Sequence, residues 1–216
     1  MIIGVSGRIG SGKTEFARLA ESEFNATVVN FAGELKKEVD GYLHQWQIAH
    51  SDASLWGHQD HKAERNIRIP MSCVTLEMQK HGFKSYGVSE TSDLIQLTSG
   101  RELLQFWAEW KRAINSNYWV HKLFAEIEDS DFVVIDDVRY TNEADMIRIC
   151  DGYVLRVNRI PAFSNSTHIG EVQLDNYPGF CMTITNDSSL ESYHKLCREV
   201  LTHYRRSYLD AKRGHF

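Results

Sequence analysis

The 216-residue chain is predicted to form a three-layer α/β fold, in which helices cover both faces of a central five-stranded parallel sheet. Three observations support this prediction. Short apolar segments alternate with longer segments of helical periodicity. The segment Phe132-Val133-Val134-Ile135 is continuously apolar, as expected for a strand that is buried on both faces. A glycine-rich segment at residues 7–14 follows the first apolar segment and precedes a helical pattern.

The strands are predicted from short apolar or β-branched segments bounded by turn residues. They lie near residues 1–5, 27–31, 131–136, 152–157 and 180–185. The helices are predicted from apolar residues at three- and four-residue steps. They lie near residues 12–23, 33–48, 91–97, 100–114, 117–128, 141–149 and 188–208. Because no Pro-, Gly- or Ser-rich linker divides the chain, we predict a single domain over 1–216, with a polar insertion at about 50–90.

The composition favours a compact cytoplasmic protein that acts on small molecules. The 29 acidic and 24 basic residues give a net charge of −5, so no general positive field attracts a nucleic-acid polymer. The four cysteines show no C-x-x-C spacing, which argues against a zinc site and suits reduced thiols. The first apolar run ends at Val5 and is too short for a signal peptide or a membrane span. Neither a polymer nor a membrane is therefore expected as a partner.

Residues 7–14 match the phosphate-binding pattern G-x-x-x-x-G-K-S/T. Glycines in this pattern let consecutive amide N–H groups point at a phosphate, and the following helix adds the positive end of its dipole. Lys13 is expected to reach the β- and γ-phosphates, and Thr14 offers its hydroxyl to Mg²⁺. The segment therefore predicts a binding site for a nucleoside triphosphate.

A second candidate feature is the acidic end of the strand near 131–136. The pair Asp136-Asp137 follows the buried segment, in the usual position of the carboxylate that holds Mg²⁺ beside the phosphate loop. Functional groups collect at the carboxyl ends of parallel strands, so Asp136, Asp137 and Arg139 are expected to face the same crevice as Lys13. The alternative is that Asp136 only caps the next turn.

A third feature is the polar face of the helix over 100–114. Arg101, Gln105, Glu109 and Arg112 follow one another at steps of four, four and three residues, so they share one face. Such a face can bind a phosphate and a base. The same spacing is also typical of a solvent-exposed face with ion pairs, and by itself it slightly favours that second interpretation.

Histidines and aspartates are frequent at the start of the polar insertion. His50, His58 and His61 lie near Asp52 and Asp60, and all these side chains can bind metals. Their spacing fits no closed zinc pattern, so a solvated polar loop is the preferred interpretation. No metal is predicted other than nucleotide-bound Mg²⁺.

Three further segments accompany the phosphate loop. They are Phe31-Ala32-x-x-Leu35-Lys36, Arg101-Glu102-Leu103-Leu104-Gln105 and Asp137-Val138-Arg139-Tyr140-x-Asn142-Glu143-Ala144. Together these segments resemble the deoxynucleoside monophosphate kinases of tailed bacteriophages, from the first residue to about Asn186. The resemblance implies a P-loop kinase fold of the nucleoside monophosphate kinase type. It also implies transfer of the γ-phosphate of ATP to a deoxynucleoside monophosphate, with Mg²⁺, to supply phage DNA synthesis, and it suggests a homodimer.

The resemblance implies roles for individual residues. ATP is expected to contact Gly7, Gly10, Ser11, Gly12, Lys13, Thr14, Arg159 and Asn186. The acceptor is expected to contact Lys36, Arg101, Gln105, Glu109, Arg112 and Arg139. The implied catalytic residues are Lys13, Arg101, Asp137 and Arg139, and the implied Mg²⁺ ligands are Thr14, Asp136 and Asp137. Residues at about 158–176 resemble the lid that closes over ATP in such kinases, with Arg159 as its arginine and Asn186 near the adenine.

Three alternatives stay open. The opening segment Gly4-Val5-Ser6-Gly7-x-Ile9-Gly10-Ser11-Gly12-Lys13 is similar to that of dephospho-coenzyme A kinases, although the Arg-Glu-Leu-Leu-Gln helix argues against that family. A motor or switch that hydrolyses ATP while acting on a macromolecule would use the same loop. A structural subunit that binds a nucleotide without turnover is the third alternative.

Overall fold

The computed structural model describes residues 1–51, 55–57, 63–89, 94–159 and 173–213. These residues divide into two compact units, of which the first comprises Met1–Phe31 and Leu123–Phe216 and the second comprises Ala32–Lys122. The prediction of one domain with an insertion at about 50–90 stays a prediction, and the insertion falls within the second unit. None of the helices in the described ranges is long and apolar enough to cross a bilayer.

The elements follow one another in the order that an α/β chain requires. The strands are β1 (Ile2–Ser6), β2 (Thr27–Val29), β3 (Arg65–Pro70), β4 (Val88–Ser89), β5 (Ile95–Ser99), β6 (Val133–Asp136), β7 (Tyr153–Asn158) and β8 (Met182–Thr185). The helices are α1 (Lys13–Phe24), α2 (Phe31–Gln45), α3 (Leu76–Lys80), α4 (Gly100–Ile114), α5 (Tyr118–Glu126), α6 (Thr141–Ile149) and α7 (Leu190–Arg213). Short 3-10 turns occur at Met71–Cys73 and Phe83–Ser85.

The first unit is built on a five-stranded sheet with the order β2-β6-β1-β7-β8, and each pair of neighbours is parallel. The predicted fold class is thereby confirmed, and all five predicted strands belong to this sheet. Strand β1 lies between β6 and β7 and is almost entirely buried. Because its side chains alternate between the two faces, one short segment contacts both helix layers.

The two faces of β1 pack against different helices. Ile3 and Val5 belong to a core cluster that also contains Phe16 of α1 and Tyr193 of α7. Gly4 points to the opposite face, where an added Cβ would lie only 3.0 Å from the Val138 side chain and closer still to Ile147 of α6. The absent side chain at Gly4 therefore lets α6 approach the sheet, which completes the three layers.

The second unit contains a small antiparallel sheet with the order β3-β5-β4. The helix predicted over 91–97 is wrong in its described part, because Ile95–Ser99 forms β5. The alternation of the strand is hidden by buried polar residues at Gln96 and Thr98. Their side chains donate hydrogen bonds to the carbonyl oxygens of Lys84 and Tyr86, at 3.2 and 2.6 Å. Polar side chains, which usually face solvent, are thus buried on one face of this sheet.

A buried carboxylate joins three helices of the second unit. Glu38 of α2, with 7% of its side chain exposed, accepts hydrogen bonds from Trp107 Nε1 (2.9 Å), Tyr118 Oη (2.7 Å) and Lys122 Nζ (2.6 Å). Lys111 Nζ lies 3.2 Å from Glu38 Oε1. Burial alone would raise the pKa of Glu38, but the bonds from Lys122, Trp107 and Tyr118 lower it to about 2. The ionised carboxylate therefore stabilises the packing of α2, α4 and α5.

We expect Glu38→Gln to lower the free energy of unfolding of the second unit by about 3 kcal/mol, because it leaves the ammonium groups of Lys111 and Lys122 without their carboxylate. A carboxyl group whose pKa is lowered by folding stabilises the folded state at pH values above its unfolded pKa. Wild-type stability from this group is therefore lost as the pH falls from about 4.5 to about 2. All five tryptophans lie within 32–122, so urea denaturation followed by tryptophan fluorescence reports on this unit. The exposed Glu128→Gln is the matched control, and equal stability of the two variants would contradict the assignment.

Candidate functional site

The parallel register of β1 brings the candidate residues of the first unit to one edge of the sheet. Val5 is paired with Asp136 of β6, and Ser6 is paired with Arg156 of β7. The phosphate loop starts directly after Ser6, while Asp137 directly follows β6. The loop and the acidic strand end are therefore neighbours, as their positions in the sequence predict.

The turn from the phosphate loop into α1 depends on a left-handed glycine. Gly12 has φ 110° and ψ 12°, and helix α1 begins at the next residue, Lys13. A Cβ at Gly12 would lie 2.6 Å from Asn186 Nδ2 and 3.1 Å from the Tyr193 ring. Gly7 and Gly10 also have positive φ, at 159° and 77°. The loop backbone is thus held close to two side chains that a larger residue would displace.

Those two side chains support the loop through its carbonyl groups. Asn186 Nδ2 donates to the Ser11 carbonyl at 2.8 Å, and the Tyr193 hydroxyl donates to the Gly12 carbonyl at 3.0 Å. Asn186 is buried and sits at the end of β8, so its adenine contact stays a prediction while its observed contact is with the loop. The support from Tyr193 was not predicted, because its spacing in α7 is that of a packing stripe and carries no signal for the hydroxyl.

The ammonium group of Lys13 lies among oxygen atoms at the centre of the loop. Its side chain is buried, and Nζ donates to the carbonyl oxygens of Gly7 (2.6 Å) and Arg8 (3.1 Å). Nζ also lies 3.3 Å from Asp137 Oδ1. An ammonium donor in this position is suited to exchange such oxygens for those of a phosphate.

Asp137 links Lys13 to a second cation. Its Oδ2 accepts hydrogen bonds from Arg139 Nε (2.7 Å) and Nη2 (2.6 Å), while Oδ1 faces Lys13. The backbone of Asp137 is left-handed, with φ 67°, a conformation that aspartate tolerates better than most residues. Glu143 stabilises this turn, since its Oε2 accepts from the backbone N–H groups of Arg139 (2.8 Å) and Tyr140 (3.1 Å). The strand end is thus shaped to hold two cations against one carboxylate.

Asp136 has the properties of a cation ligand. Thr14 Oγ1 donates to its Oδ2 at 3.4 Å, and its Oδ1 is buried without a hydrogen-bond partner among the described residues. Burial and the neighbouring charge of Asp137 raise the pKa of Asp136 above its ordinary value. A carboxylate oxygen without a partner, beside a threonine hydroxyl, fits the hard oxygen ligands that Mg²⁺ prefers. Thr14 and Asp136 are therefore adjacent candidate ligands, and a metal contact of Asp137 stays a prediction.

Beside the loop, Asp175 pairs with two arginines, a contact that the sequence patterns did not predict. Asp175 Oδ2 accepts from Arg8 Nη2 at 2.6 Å, and its Oδ1 accepts from Arg156 Nη2 at 2.5 Å. Arg156 is buried and also donates to Ser6 Oγ at 3.2 Å. The sequence interval between 8 and 175 left no local signal for this contact. The predicted lid arginine, Arg159, is exposed at the end of β7, and residues 160–172 of the predicted lid lie outside the described residues.

The predicted acceptor residues of the second unit lie on α2 and α4. Arg101, Gln105 and Glu109 are exposed on α4 and Arg112 is half-buried, while Leu103, Phe106, Trp107 and Trp110 are buried, so the predicted polar face is present. Glu109 accepts a hydrogen bond from the Tyr86 hydroxyl, a contact that raises the pKa of Tyr86 to about 12. Lys36 of α2 has its Nζ 5.0 Å from the centre of the Trp56 ring. Their roles in acceptor binding stay predictions.

The start of α4 is fixed by a capping box between Ser99 and Glu102, the second residue of the Arg-Glu-Leu-Leu-Gln segment. Ser99 accepts from the Glu102 backbone N–H at 3.2 Å, and Glu102 Oε2 accepts from the Ser99 backbone N–H at 2.9 Å. The hydrogen bond from Arg65, together with those from Ser99, lowers the pKa of Glu102 to about 2 against the effect of partial burial. Glu102 is therefore a capping residue of the helix that presents Arg101 and Gln105.

Comparison with known proteins adds sequence and fold similarities to this geometry. A family model described as "Deoxynucleotide monophosphate kinase" matches residues 105–196. A protein of Acanthamoeba polyphaga mimivirus, named "Putative deoxynucleotide monophosphate kinase", is 25% identical over 201 residues, which are 90% of this chain and 92% of that protein. The solved structure of dephospho-CoA kinase from Campylobacter jejuni has a TM-score of 0.52 at 12% identity, and the match covers 96% of this chain and 98% of that one.

The similarity to the Campylobacter structure concerns the fold alone. The family match includes Gln105, the acidic strand end and Arg139, but it does not reach the phosphate loop. Taken with the loop geometry, these similarities support a P-loop kinase, and specifically a nucleotide kinase enzyme.

We expect Asp136→Asn to raise the free energy of unfolding of the nucleotide-free protein by about 0.5–2 kcal/mol, because it removes a buried charge beside Asp137. A carboxyl group whose pKa is raised by folding destabilises the folded state at pH values above its unfolded pKa. The gain is therefore expected at neutral pH and should vanish in acid, where the wild-type carboxyl is protonated. Thermal unfolding followed by circular dichroism measures the change, with the exposed Asp187→Asn as control. A lower Tm for Asp136→Asn at pH 7 would contradict this account.

Proposed function

We propose that this chain is an ATP-dependent deoxynucleoside monophosphate kinase, which moves the γ-phosphate of ATP to the 5′-phosphate of a deoxynucleotide. The observation that carries the proposal is the contact of Asp137 with both Lys13 (3.3 Å) and Arg139 (2.6 Å). This contact holds a phosphate-loop cation and an arginine from a neighbouring strand end at one carboxylate. Transfer between two nucleotides brings two sets of phosphates together, so it needs converging cations of this kind.

In the proposed reaction, an oxygen of the acceptor phosphate attacks the γ-phosphorus of ATP in line with the bridging oxygen to the β-phosphate. The new P–O bond forms as the bridging P–O bond breaks, and ADP leaves with that electron pair. No general base is required, because the acceptor phosphate is largely ionised at neutral pH. The enzyme contributes position and charge stabilisation.

The residues of the first unit have distinct parts in this proposal. Lys13 releases the carbonyl oxygens of Gly7 and Arg8 and donates to the β- and γ-phosphates instead. Arg139 turns from Asp137 to the acceptor phosphate. Thr14 and Asp136 would hold Mg²⁺, which when bound would offset the charge of the phosphates. Asn186 and Tyr193 position the loop and are not catalytic residues, since their observed contacts are with its backbone.

The acceptor residues proposed for the second unit are Arg101, Gln105, Glu109 and Arg112 on α4, with Lys36 on α2. Support for them comes from the resemblance of the Arg-Glu-Leu-Leu-Gln segment and, from Gln105 onwards, from the family match. Arg159 is proposed as the arginine of a lid over ATP. Deoxyribose as the sugar, and supply of nucleotides for phage DNA synthesis as the role, rest on the resemblance to phage kinases and on the name of the mimivirus relative.

Activity across a panel of acceptors tests the proposal. We expect ADP release with ATP and Mg²⁺ to depend on dAMP, dGMP, dCMP or dTMP, with at least one deoxynucleotide preferred over its ribonucleotide. Dephospho-coenzyme A is included as an acceptor, and a reaction without any acceptor measures hydrolysis. Turnover with dephospho-coenzyme A alone would favour the coenzyme A alternative. Turnover without an acceptor that rises with DNA or protein would favour a motor or switch.

Two variants separate donor binding from charge stabilisation. Lys13→Ala should abolish measurable transfer, because the β- and γ-phosphates lose their ammonium donor. Arg139→Ala should lower kcat by about 10³-fold while leaving the KM for ATP within a few-fold of wild type, since its proposed contact is with the acceptor and the transition state. The exposed Arg205→Ala on α7 is the matched control. Near-normal kcat in Arg139→Ala would refute its assigned role.

A further inference from the structure

The C-terminal turn of α2 brings a third metal-binding side chain to the helix. Asp40 and His44 are four residues apart and share one face of α2. After the helix ends at Gln45, Gln47 takes a left-handed conformation with φ 56°, and the Ile48 N–H donates to the Leu43 carbonyl at 2.9 Å. This helix-terminating turn reverses the chain, so that His50 returns to Asp40.

The hydrogen bonds of His50 direct its second ring nitrogen at a carboxylate. His50 has only 4% of its side chain exposed, and its Nδ1 lies 3.1 Å from the Ile48 carbonyl oxygen. A carbonyl only accepts, so Nδ1 must carry the proton. In the neutral ring, Nε2 then presents its lone pair to Asp40 Oδ1 at 2.7 Å. Two acceptors cannot stay this close, so the contact requires either a proton on Nε2 or, after a small separation of the two atoms, a metal ion bound by both.

The third side chain completes a ligand set of two imidazoles and one carboxylate. His44 Nε2 lies 3.5 Å from Asp40 Oδ2, and one ligand atom from each of the three residues lies within 4.8 Å of the other two. Ligand atoms in a tetrahedral site with bonds of about 2.0–2.2 Å are about 3.3–3.6 Å apart, so small side-chain rotations suffice. The Nδ1 bond of His50 to a backbone carbonyl is also the usual outer contact of a metal-bound histidine, since it fixes the tautomer and the ring.

We propose that Asp40, His44 and His50 form a binding site for a divalent transition metal of the zinc class. Two imidazole nitrogens favour Zn²⁺ over Mg²⁺ or Ca²⁺, which prefer oxygen ligands. His44 is 74% exposed, so the fourth position opens to solvent and is filled by water. The metal ties the segment after α2 to the helix. The site uses none of the residues assigned to phosphate transfer.

The test uses the full-length, untagged, metal-free protein, since a histidine tag would bind the same ions. We expect one Zn²⁺ per chain in competition with a chromophoric chelator, and Mg²⁺ in large excess should not displace it. Co²⁺ should give the intense visible bands of a four-coordinate site. At about 100 times its Kd, Zn²⁺ should raise the Tm by about 5 °C. Nucleotide is left out of these measurements, so the result is independent of the acceptor panel.

Variants locate the ion. His44→Ala, His50→Ala and Asp40→Asn should each weaken Zn²⁺ binding by about 100-fold or more, because a lost ligand costs at least as much as a lost outer contact. His44 is largely exposed, so its variant keeps the fold even if His50→Ala does not. The exposed His121→Ala is the matched control, and a His58→Ala, His61→Ala double variant tests the neighbouring histidines. Absence of binding in the wild type, or loss in the double variant with retention in His44→Ala, overturns the proposal and leaves an imidazolium–carboxylate pair.

Discussion

The parallel pairing of β1 with β6 is the constraint on which the candidate site of the first unit depends. It places Val5 beside Asp136, so the loop that leaves β1 and the carboxylates that follow β6 must share one edge of the sheet. The pairing is held by buried side chains on one face and by the close approach of α6 at Gly4 on the other. A shift of one residue along β6 would exchange the inward and outward side chains and would separate Asp136 from Thr14.

This edge concentrates like charges at a cost to the fold. Asp136 and Asp137 are adjacent, and burial of the first makes its ionised form unfavourable. Lys13 and Arg139 offset part of that cost through Asp137, whereas Asp136 keeps an oxygen without a partner among the described residues. Such an arrangement is typical of a site that is completed by its ligands.

The second unit uses charge in the opposite way. Only 7% of the Glu38 side chain is exposed, but four side chains surround its oxygens and keep it ionised. The polar face of α4 owes its orientation to this network, because Trp107 and Lys111 of the same helix point at Glu38. Near the C-terminal end of α2, the Asp40 carboxylate faces the imidazoles of His44 and His50 instead, and this difference underlies the proposed metal site.

Local signals along the chain are enough to predict most elements of the first unit. Periodicity predicts the five parallel strands and the helices on either side of them. The glycine pattern at residues 7–14 predicts the phosphate loop, because that pattern is typical of one backbone conformation. Strand β5 was not predicted, because Gln96 and Thr98 are polar and become inward-facing only through hydrogen bonds to other segments.

Tertiary structure alone decided which side chain does what at the phosphate loop. It separated Asp136, next to Thr14, from Asp137, next to two cations, and it brought Asn186, Tyr193 and the Asp175 carboxylate to the loop or its flanks. Apart from the Asp137–Arg139 pair, these contacts join residues more than a hundred positions apart. The motifs predicted that the acidic strand end faces the loop, but they carry no signal for the individual partners, which are fixed only when the strands pair in register. The octapeptide at residues 7–14 thus predicts phosphate binding by itself, while the fold determines which distant side chains contact the loop.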